Sequence, residues 1–503
     1  MTGMSVRIVD SLLTGWRTDV AAYLSLADRL RLLILDGRIP VGERLPSERE
    51  LALRLGVSRT TVAATYAELR TSGYLDSRRG SGSVARIPGL GAHGDPVDID
   101  YPGATEGLLD FSKAAMPAAS ELAQAAVRAA AQLPAFFGET GFDPLGLPML
   151  RRAIAGRYEA RGLETSADQI MVTVGAQSAI ALLARVLLAR GDVAIAEAPS
   201  YPHAYEALRL AGARIATVGV TSTGANGASD SGAEHISHTG WDSLALERVL
   251  RRTSPAMAYV MPDFHNPTGS TMSPALRHRM LELAAGPGTV MVADETMAEL
   301  DIDTAGELPK PLPAYGAAVA IGSLGKTVWG GLRIGWIRAE PHLIHRLVRA
   351  RPTTDLGTPI LEQIIATDLL SDYGSILARR REQLRAGRDH LERGLASALP
   401  GWVVPHVTGG LTTWVELPEP VSSRLTIAAR REGLALASGA RFGIDGAFER
   451  FVRIPFSYSM GETDVAVGAL ARAWASLGAV ADGRSSPSAV AVVDADALLA
   501  DVV

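Results

Sequence analysis

Between residues 20 and 86 the apolar positions keep a helical rhythm three times over and then shorten into strands. Leu26, Leu30, Leu33 and Ile34 share one face of a first helix, which Gly37 can close. Ser47 and Glu50 have the S-x-x-E spacing of a capping box and open a second helix that buries Leu51 and Leu55 and ends near Gly56. Val57 and Ser58 restart the chain as a staple residue and an N-cap. A third helix turns Val62, Tyr66 and Leu69 inward and stops at Gly73. The segment YLDSRRGSGSVA then predicts two short strands around a Gly-Ser turn. Helix-turn-helix plus wing is the compact reading.

Residues 87–107 hold Gly and Pro without lasting periodicity and read as a linker. From 108 to 475 short apolar runs alternate with helical stretches. QIMVTV, DVAIAE, AMAYVM, TVMVAD and AVAIGS have the composition of buried parallel strands, which predicts an α/β sheet with crossover helices. From about 375 an Arg-rich helix and then WVVP, LTTWVEL and FVRIPF predict a smaller C-terminal α+β subdomain reaching 475. The tract 221–240 and the tail 476–503 read as disordered. The fold class is therefore multidomain: a winged helix-turn-helix at 20–86, then an α/β body at 108–475.

At 503 residues the chain is too long for one ordinary domain. It has no apolar run of the roughly 18 residues that a membrane span needs, and no basic segment followed by an apolar one at its N-terminus. The absence of cysteine removes disulfides, thiolate metal sites and cysteine nucleophiles. A cytoplasmic protein is expected, with no membrane partner and no metal. The net charge of −5 is unevenly spread: residues 1–86 hold 13 Arg against 9 Asp or Glu, leaving the head at +4 and the remainder at −9. A basic head on an acidic body fits a chain that meets phosphate only at its head. Lysine is confined to Lys113, Lys310 and Lys326 against 46 arginines, so a lysine nucleophile has few candidates.

The third helix opens with Ser58, Arg59, Thr60 and Thr61, and its inner-face residues leave Arg59, Thr60 and Ala63 outward. One Arg and two hydroxyls at a helix N-terminus suit entry into a major groove. Arg78 and Arg79 at the wing can reach phosphate or the minor groove, Gly80 and Gly82 permit close approach, and Arg49 is a further phosphate contact. The plain alternative is a small helical domain with solvated arginines. LPSERELA, GVSRTTV, the spacing from Leu69 to Leu75 and RRGSGS together resemble the GntR-type winged helix nearly end to end. The resemblance implies double-stranded DNA as partner, contacted by Arg49, Ser58, Arg59, Thr60, Thr61 and the wing glycines.

In the body, SLGKTVWGGLRIGW places Lys326 just after the strand AVAIGS, where ligands gather at the carboxyl ends of parallel strands. A lysine can condense with an aldehyde, and Ser323 and Arg333 can hold a phosphate beside it. By itself the motif is equally a surface lysine in a Gly-rich loop. Asp294, ending TVMVAD, can pair with a protonated pyridine nitrogen. Asn266 in DFHNPTG can donate to a phenolate oxygen, and Tyr201 offers a face to stack on a ring. Gly175, Ala176 and Gln177 precede a helix beginning near Ser178, whose amides would cradle a phosphate. Each alone is an ordinary strand-end residue.

As an ordered set they resemble the fold-type I, aspartate-aminotransferase-like proteins over residues 108–475. With the head, the chain resembles the MocR-type regulators. That resemblance implies pyridoxal 5'-phosphate on Lys326, an amino acid, an amine or the cofactor itself as effector, and a homodimer in which each head can lie against the partner's body. It also matches Arg453, in FVRIPF, to the arginine that grips a substrate carboxylate; a structural salt bridge is the alternative. The sequence departs from the family at several points. Thr296 stands where a phenolate-bonding tyrosine is usual, Phe142 where a partner-subunit tyrosine reaches the phosphate, and Gly330 where proline is usual; FSKAAMP lacks a customary glycine. Each lost hydroxyl weakens the cofactor's hold by roughly 0.5–1.5 kcal/mol. Three functions follow: a regulator sensing an effector through the cofactor, an active aminotransferase that kept its head, or a regulator whose degenerate body only dimerises. Lys326, Asp294 and Asn266 favour the first two over the third, and Thr296 and Phe142 count against the second.

Overall fold

The computed structural model describes residues 13, 16–17, 21–35, 39, 44–78, 82–86, 107–221, 240–241, 243–303, 308–444 and 447–481. The expected linker at 87–106, the tract 222–239, the tail from 482, and Gly37, Arg79 and Gly80 lie outside the described residues.

The head is built from α1 (Ala22–Leu35), α2 (Glu48–Leu55), α3 (Arg59–Thr71) and the hairpin β1 (Leu75–Arg78) and β2 (Gly82–Ala85). Its local signals are realised in detail. Ser47 Oγ accepts from the Glu50 N–H while the Glu50 carboxylate accepts from the Ser47 N–H, and Gly56 closes α2 in the left-handed region at φ 63°. Ser58 caps α3 by accepting from the Thr61 N–H at 3.0 Å. Leu26, Leu30, Leu33, Leu51, Val62, Tyr66 and Leu69 form the core.

The body begins with β3 (Leu109–Asp110), α4 (Leu122–Gln132), α5 (Pro148–Ala160), β4 (Ile170–Val174), α6 (Gly175–Leu187), β5 (Val193–Ala198), α7 (Pro202–Leu210) and β6 (Arg214–Gly219). It continues through α8 (Ser243–Thr253), β7 (Met257–Val260), α9 (Pro274–Ala285), β8 (Val290–Asp294), β9 (Val319–Ser323) and β10 (Ile334–Arg338). These strands form one seven-stranded sheet in the order β4-β10-β9-β8-β7-β5-β6, with buried apolar clusters packed against it.

The sheet is mixed, where a parallel one is expected. β5 to β9 pair in parallel, but β10 runs antiparallel to both β9 and β4, so the QIMVTV strand makes its ladder with a reversed neighbour. The connection from Ser323 to Ile334 is too short to hold a crossover helix, so the chain after the lysine loop must turn straight back. The pattern also missed β6, an edge strand with only Val218 buried and so without a clean buried face.

The remainder comprises α10 (Pro341–Ala350), α11 (Ile360–Leu370), α12 (Tyr373–Ala398), β11 (Thr412–Glu416), α13 (Ser422–Arg431), β12 (Leu434–Ala435), β13 (Ala437–Ser438), β14 (Phe451–Pro455) and α14 (Met460–Ala481). The small subdomain is a β11-β14-β13 antiparallel sheet covered by helices. Two of its limits differ from expectation. β3 pairs in parallel with β12 and Phe111 is buried in its core, so the start of the body belongs to it, and α14 runs on to Ala481.

The head packs against its own chain's small subdomain through α1 and α13. Ile427 of α13 is buried among the head's core residues, and Arg424 Nε lies 3.5 Å from Asp28 Oδ2. Burial pushes the Asp28 carboxyl up from its ordinary value, against the pull of Arg31 and Arg424. The start of α13 is tied to Glu449, which accepts from the Ser423 N–H at 2.9 Å and from the hydroxyls of Ser422 and Ser423. Replacing buried Ile427 by a charge removes about 1.5–3 kcal/mol of burial and sets an unpaired carboxylate between the domains. Hydrogen exchange of Ile427→Asp is expected to show lost protection in Ala22–Leu35 with Ile170–Val174 unchanged; unaltered exchange in Ala22–Leu35 would mean the contact does not hold the head.

Candidate cofactor site and nucleic-acid face

The strand ends of the large sheet open on a cavity of about 180 Å³, and Lys326, Asp294, Asn266, Tyr201, Thr296, Ser323, Arg333, Ala176 and Gln177 all line it. Residues spread over more than 150 positions of sequence thus share one chamber. Gly330 lies in its wall as well, together with Met261, Asp263 and Met297, which were not singled out from the sequence.

Lys326 donates to the Ala114 carbonyl at 2.6 Å. Burial, reinforced by the nearby Arg453 and partly offset by Asp294, lowers its ammonium from the usual 10.5 to about 8. Partly buried in the chamber's wall, it is not an exposed surface lysine. The neutral amine, which is the nucleophile, becomes available near physiological pH. Asp294 closes β8; its Oδ1 accepts from the Thr296 N–H at 3.0 Å and its Oδ2 from the Tyr259 hydroxyl at 2.6 Å. Asn266 stands in a loop pinned from beneath. Glu197 accepts from the Met261 N–H at 2.8 Å and from Trp241 Nε1 at 2.6 Å, and lies 3.2 Å from His265 Nε2. Arg277, fully buried, holds Asp263 with both terminal nitrogens. Glu197, Trp241, His265 and Arg277 are supports that strand-end motifs do not announce, because they act on the loop from beneath and not at a strand end.

The phosphate end differs in one respect from expectation: α6 starts at Gly175, not near Ser178. Gly175 takes φ 75°, and a side chain there would collide with Arg333 Nη2 at 2.6 Å, so glycine lets the guanidinium lie over the helix start. No side chain caps α6, which leaves the amides of Gly175, Ala176 and Gln177 facing the chamber's end. Arg333 donates to the Val174 carbonyl at 3.0 Å, and the Ser323 hydroxyl donates to the Ile334 carbonyl at 3.0 Å. Gln177 Oε1 is buried with no hydrogen-bond partner among the described residues. An amine, a carboxylate at one end and a helix start beside an arginine at the other fit a phosphorylated pyridine aldehyde.

Arg453 lies at the centre of β14, buried, above the Phe442 ring at 4.9 Å. It donates to the Ser112 carbonyl and, at 3.4 Å, to Asn266 Oδ1. No carboxylate pairs with it among the described residues, so the structural salt-bridge alternative finds no partner. Burial and the neighbouring Arg441 push its guanidinium down to about 10. Phe142, by contrast, is 68% exposed and does not line the chamber.

At the other end of the chain α3 presents Arg59 and Thr60 outward, and Arg49 projects from α2. Arg59 Nε approaches Glu48 Oε2 only to 3.8 Å and its side chain remains 75% exposed. The Ser58 and Thr61 hydroxyls bond each other at 2.8 Å, which binds them to the helix cap. Ala63 is half-buried, not outward. Gly82 serves the wing's packing: a side chain there would meet Arg44 Nε at 2.8 Å. Arg44, exposed beside the wing, was not singled out in the sequence. Arg78 ends β1.

Fold and chamber define a winged helix-turn-helix joined to an aminotransferase-type body. Residues 107–470 match the model of aminotransferase class I and II, and residues 22–84 that of the bacterial regulatory proteins of the gntR family. The chain is 30% identical to the HTH-type transcriptional regulator TauR of Rhodobacter capsulatus over 88% of its own length and 95% of that protein's. It is also 30% identical to the probable rhizopine catabolism regulatory protein MocR of Rhizobium meliloti, over 74% of this chain and 76% of that one. The crystal structure of LysN, the alpha-aminoadipate aminotransferase of Thermus thermophilus, complexed with N-(5'-phosphopyridoxyl)-L-leucine, superposes with a TM-score of 0.65 at 30% identity, covering 75% of this chain and 94% of that one. The chain belongs to the MocR-type, GntR-headed regulators with an aminotransferase class I and II body. Membership implies pyridoxal 5'-phosphate as cofactor.

Because the Lys326 amine loses its proton near pH 8, capture of pyridoxal phosphate by the apoprotein should accelerate as pH rises through about 8 and level off well below 10.5. Stopped-flow absorbance checks this, and the visible band of the bound cofactor should be absent in Lys326→Ala. A rate still climbing through pH 10 would show that the amine is not depressed.

Proposed function

We propose that the chain is a transcription regulator whose pyridoxal-phosphate-bearing body senses a small amino acid or amine and adjusts the grip of the head on double-stranded DNA. The observation that carries this reading is the coexistence of the Lys326, Asp294 and Asn266 chamber with a winged helix docked on the same chain's small subdomain. Lys326 takes the cofactor's aldehyde, Asp294 its pyridine nitrogen, Asn266 its phenolate oxygen, Tyr201 its ring face, and Gly175 to Gln177 with Ser323 and Arg333 its phosphate. Bound there, the cofactor supplies an electrophilic carbon to which an effector's amino group can attach. Arg453, without an acid partner among the described residues, takes a carboxylate on that effector. Thr296 and Phe142 weaken the hold that turnover demands, so sensing fits better than steady transamination.

On DNA, Arg59 and Thr60 enter the major groove, and Arg49 and Arg44 hold phosphate. The working unit is a cytoplasmic homodimer. Val127 and Phe137, each 72% exposed, and Phe142 and Trp329 give the body an apolar surface that a second copy would cover.

Operators selected from random duplexes with the full chain allow the test. By fluorescence anisotropy, Arg59→Ala should lose about 1–3 kcal/mol of specific affinity. With cofactor present, amino acids are screened for a change in DNA affinity. Lys326→Ala should keep DNA binding and lose the response. Arg453→Gln should require at least tenfold more of a carboxylate-bearing effector. Sustained keto-acid production with no effector dependence of DNA binding would establish the aminotransferase reading instead.

A further inference from the structure

Asp294 is addressed by a residue that no motif selects. β7 and β8 pair in parallel with Tyr259 opposite Val292. Asp294 lies two residues beyond Val292 and therefore on the same face of the sheet. The phenol of Tyr259 spans that diagonal and donates to Asp294 Oδ2 at 2.6 Å, while the Thr296 N–H donates to Oδ1 at 3.0 Å. The two oxygens are thus fixed separately, one by a strand neighbour and one by the local backbone. A carboxylate offers about four acceptor positions, so room remains for a pyridine N–H.

The surroundings make the assignment specific. Tyr259 is fully buried, and burial together with the Asp294 charge raises its hydroxyl well above the ordinary value, so the phenol stays a donor throughout the physiological range. The other carboxylate near it, Glu197, is already served by Trp241 Nε1 and the Met261 N–H. Tyr259 has Asp294 as its hydroxyl partner.

We propose that Tyr259 is the positioning residue that holds Asp294 oriented, and through it keeps the pyridine nitrogen of the cofactor protonated. This rests on the cofactor reading of the chamber. Without the phenol, the shared proton moves toward Asp294 and the pyridine loses its positive charge. Protonation of the neighbouring lysine-linked nitrogen then meets less repulsion, and its midpoint rises.

The test uses the full chain reconstituted with pyridoxal phosphate, as wild type, Tyr259→Phe, Asp294→Asn and the double variant, with the visible band titrated between pH 5 and 10. Tyr259→Phe should raise the midpoint by roughly one unit, a tenfold change in proton affinity, in the same direction as Asp294→Asn. The double variant should match Asp294→Asn alone, since Tyr259 acts only through the carboxylate. A Tyr259→Phe titration identical to wild type, or a shift that adds fully to that of Asp294→Asn, would overturn the assignment. If Tyr259→Phe does not fold, the unaltered protein loaded with 15N-labelled cofactor decides. A pyridinium nitrogen across the pH range is expected, and a neutral pyridine would overturn the proposal. A wild-type chain with no visible band would overturn the cofactor reading itself, an outcome distinct from a band that ignores Tyr259.

Discussion

The body is organised around two neighbouring cations drawn away from water, Lys326 on the wall of the chamber and Arg453 buried beside it. Arg453 disfavours the charged form of the lysine, and Asp294 is the acid that partly offsets it there. Desolvation on this scale is tolerated only when the surrounding frame is rigid and otherwise satisfied. The frame meets that condition through pairs that touch no ligand: Arg277 with Asp263, Glu197 with Trp241 and the Met261 N–H, and Glu295 with Arg161 and the Leu312 N–H. These interactions set the strand-end loops from which Asn266, Asp294 and Lys326 project. The same imbalance suits the chamber to an anionic cofactor and a carboxylate-bearing partner, and explains why its amine is poised near neutrality.

How much of this could be read beforehand depended on whether the signal was local. The head was legible almost residue by residue, because capping boxes, left-handed glycines and helical periodicity are written within a few positions, as Ser47, Glu50 and Gly56 show. The chamber's inner residues were legible too, since each stands at the end of an apolar run. Three things were not. The reversal at β10 depends on loop length and not on composition, the membership of Phe111 in the small subdomain depends on a parallel pairing with β12 more than 300 positions away, and the Tyr259 hydroxyl looks like any core aromatic until its diagonal neighbour is known. Arg453 fell between: its motif suggested a carboxylate grip, and only the structure shows its Nε buried without a hydrogen-bond partner, with Asp110 acting on it electrostatically.

β14 connects the two ends of the molecule. Its centre holds Arg453 over Phe442, and two residues before its start Glu449 receives the Ser422 and Ser423 hydroxyls and the Ser423 N–H at the beginning of α13. That helix carries Ile427 into the head's core and Arg424 toward Asp28. Arg29, buried in the head, adds its attraction to Glu449, whose carboxyl burial otherwise raises. Arg453 and the start of the helix on which the head rests are thus joined by one strand and a set of hydrogen bonds, a continuous route by which an effector's contact at Arg453 would reach the head. The coupling needs no large motion. Close-packed interfaces do not deform continuously, so a small shift at the contact between α13 and α1 would be resisted or would break it. An effector that engages Arg453 and one that does not would then differ in their leverage on the head even when both occupy the cofactor equally.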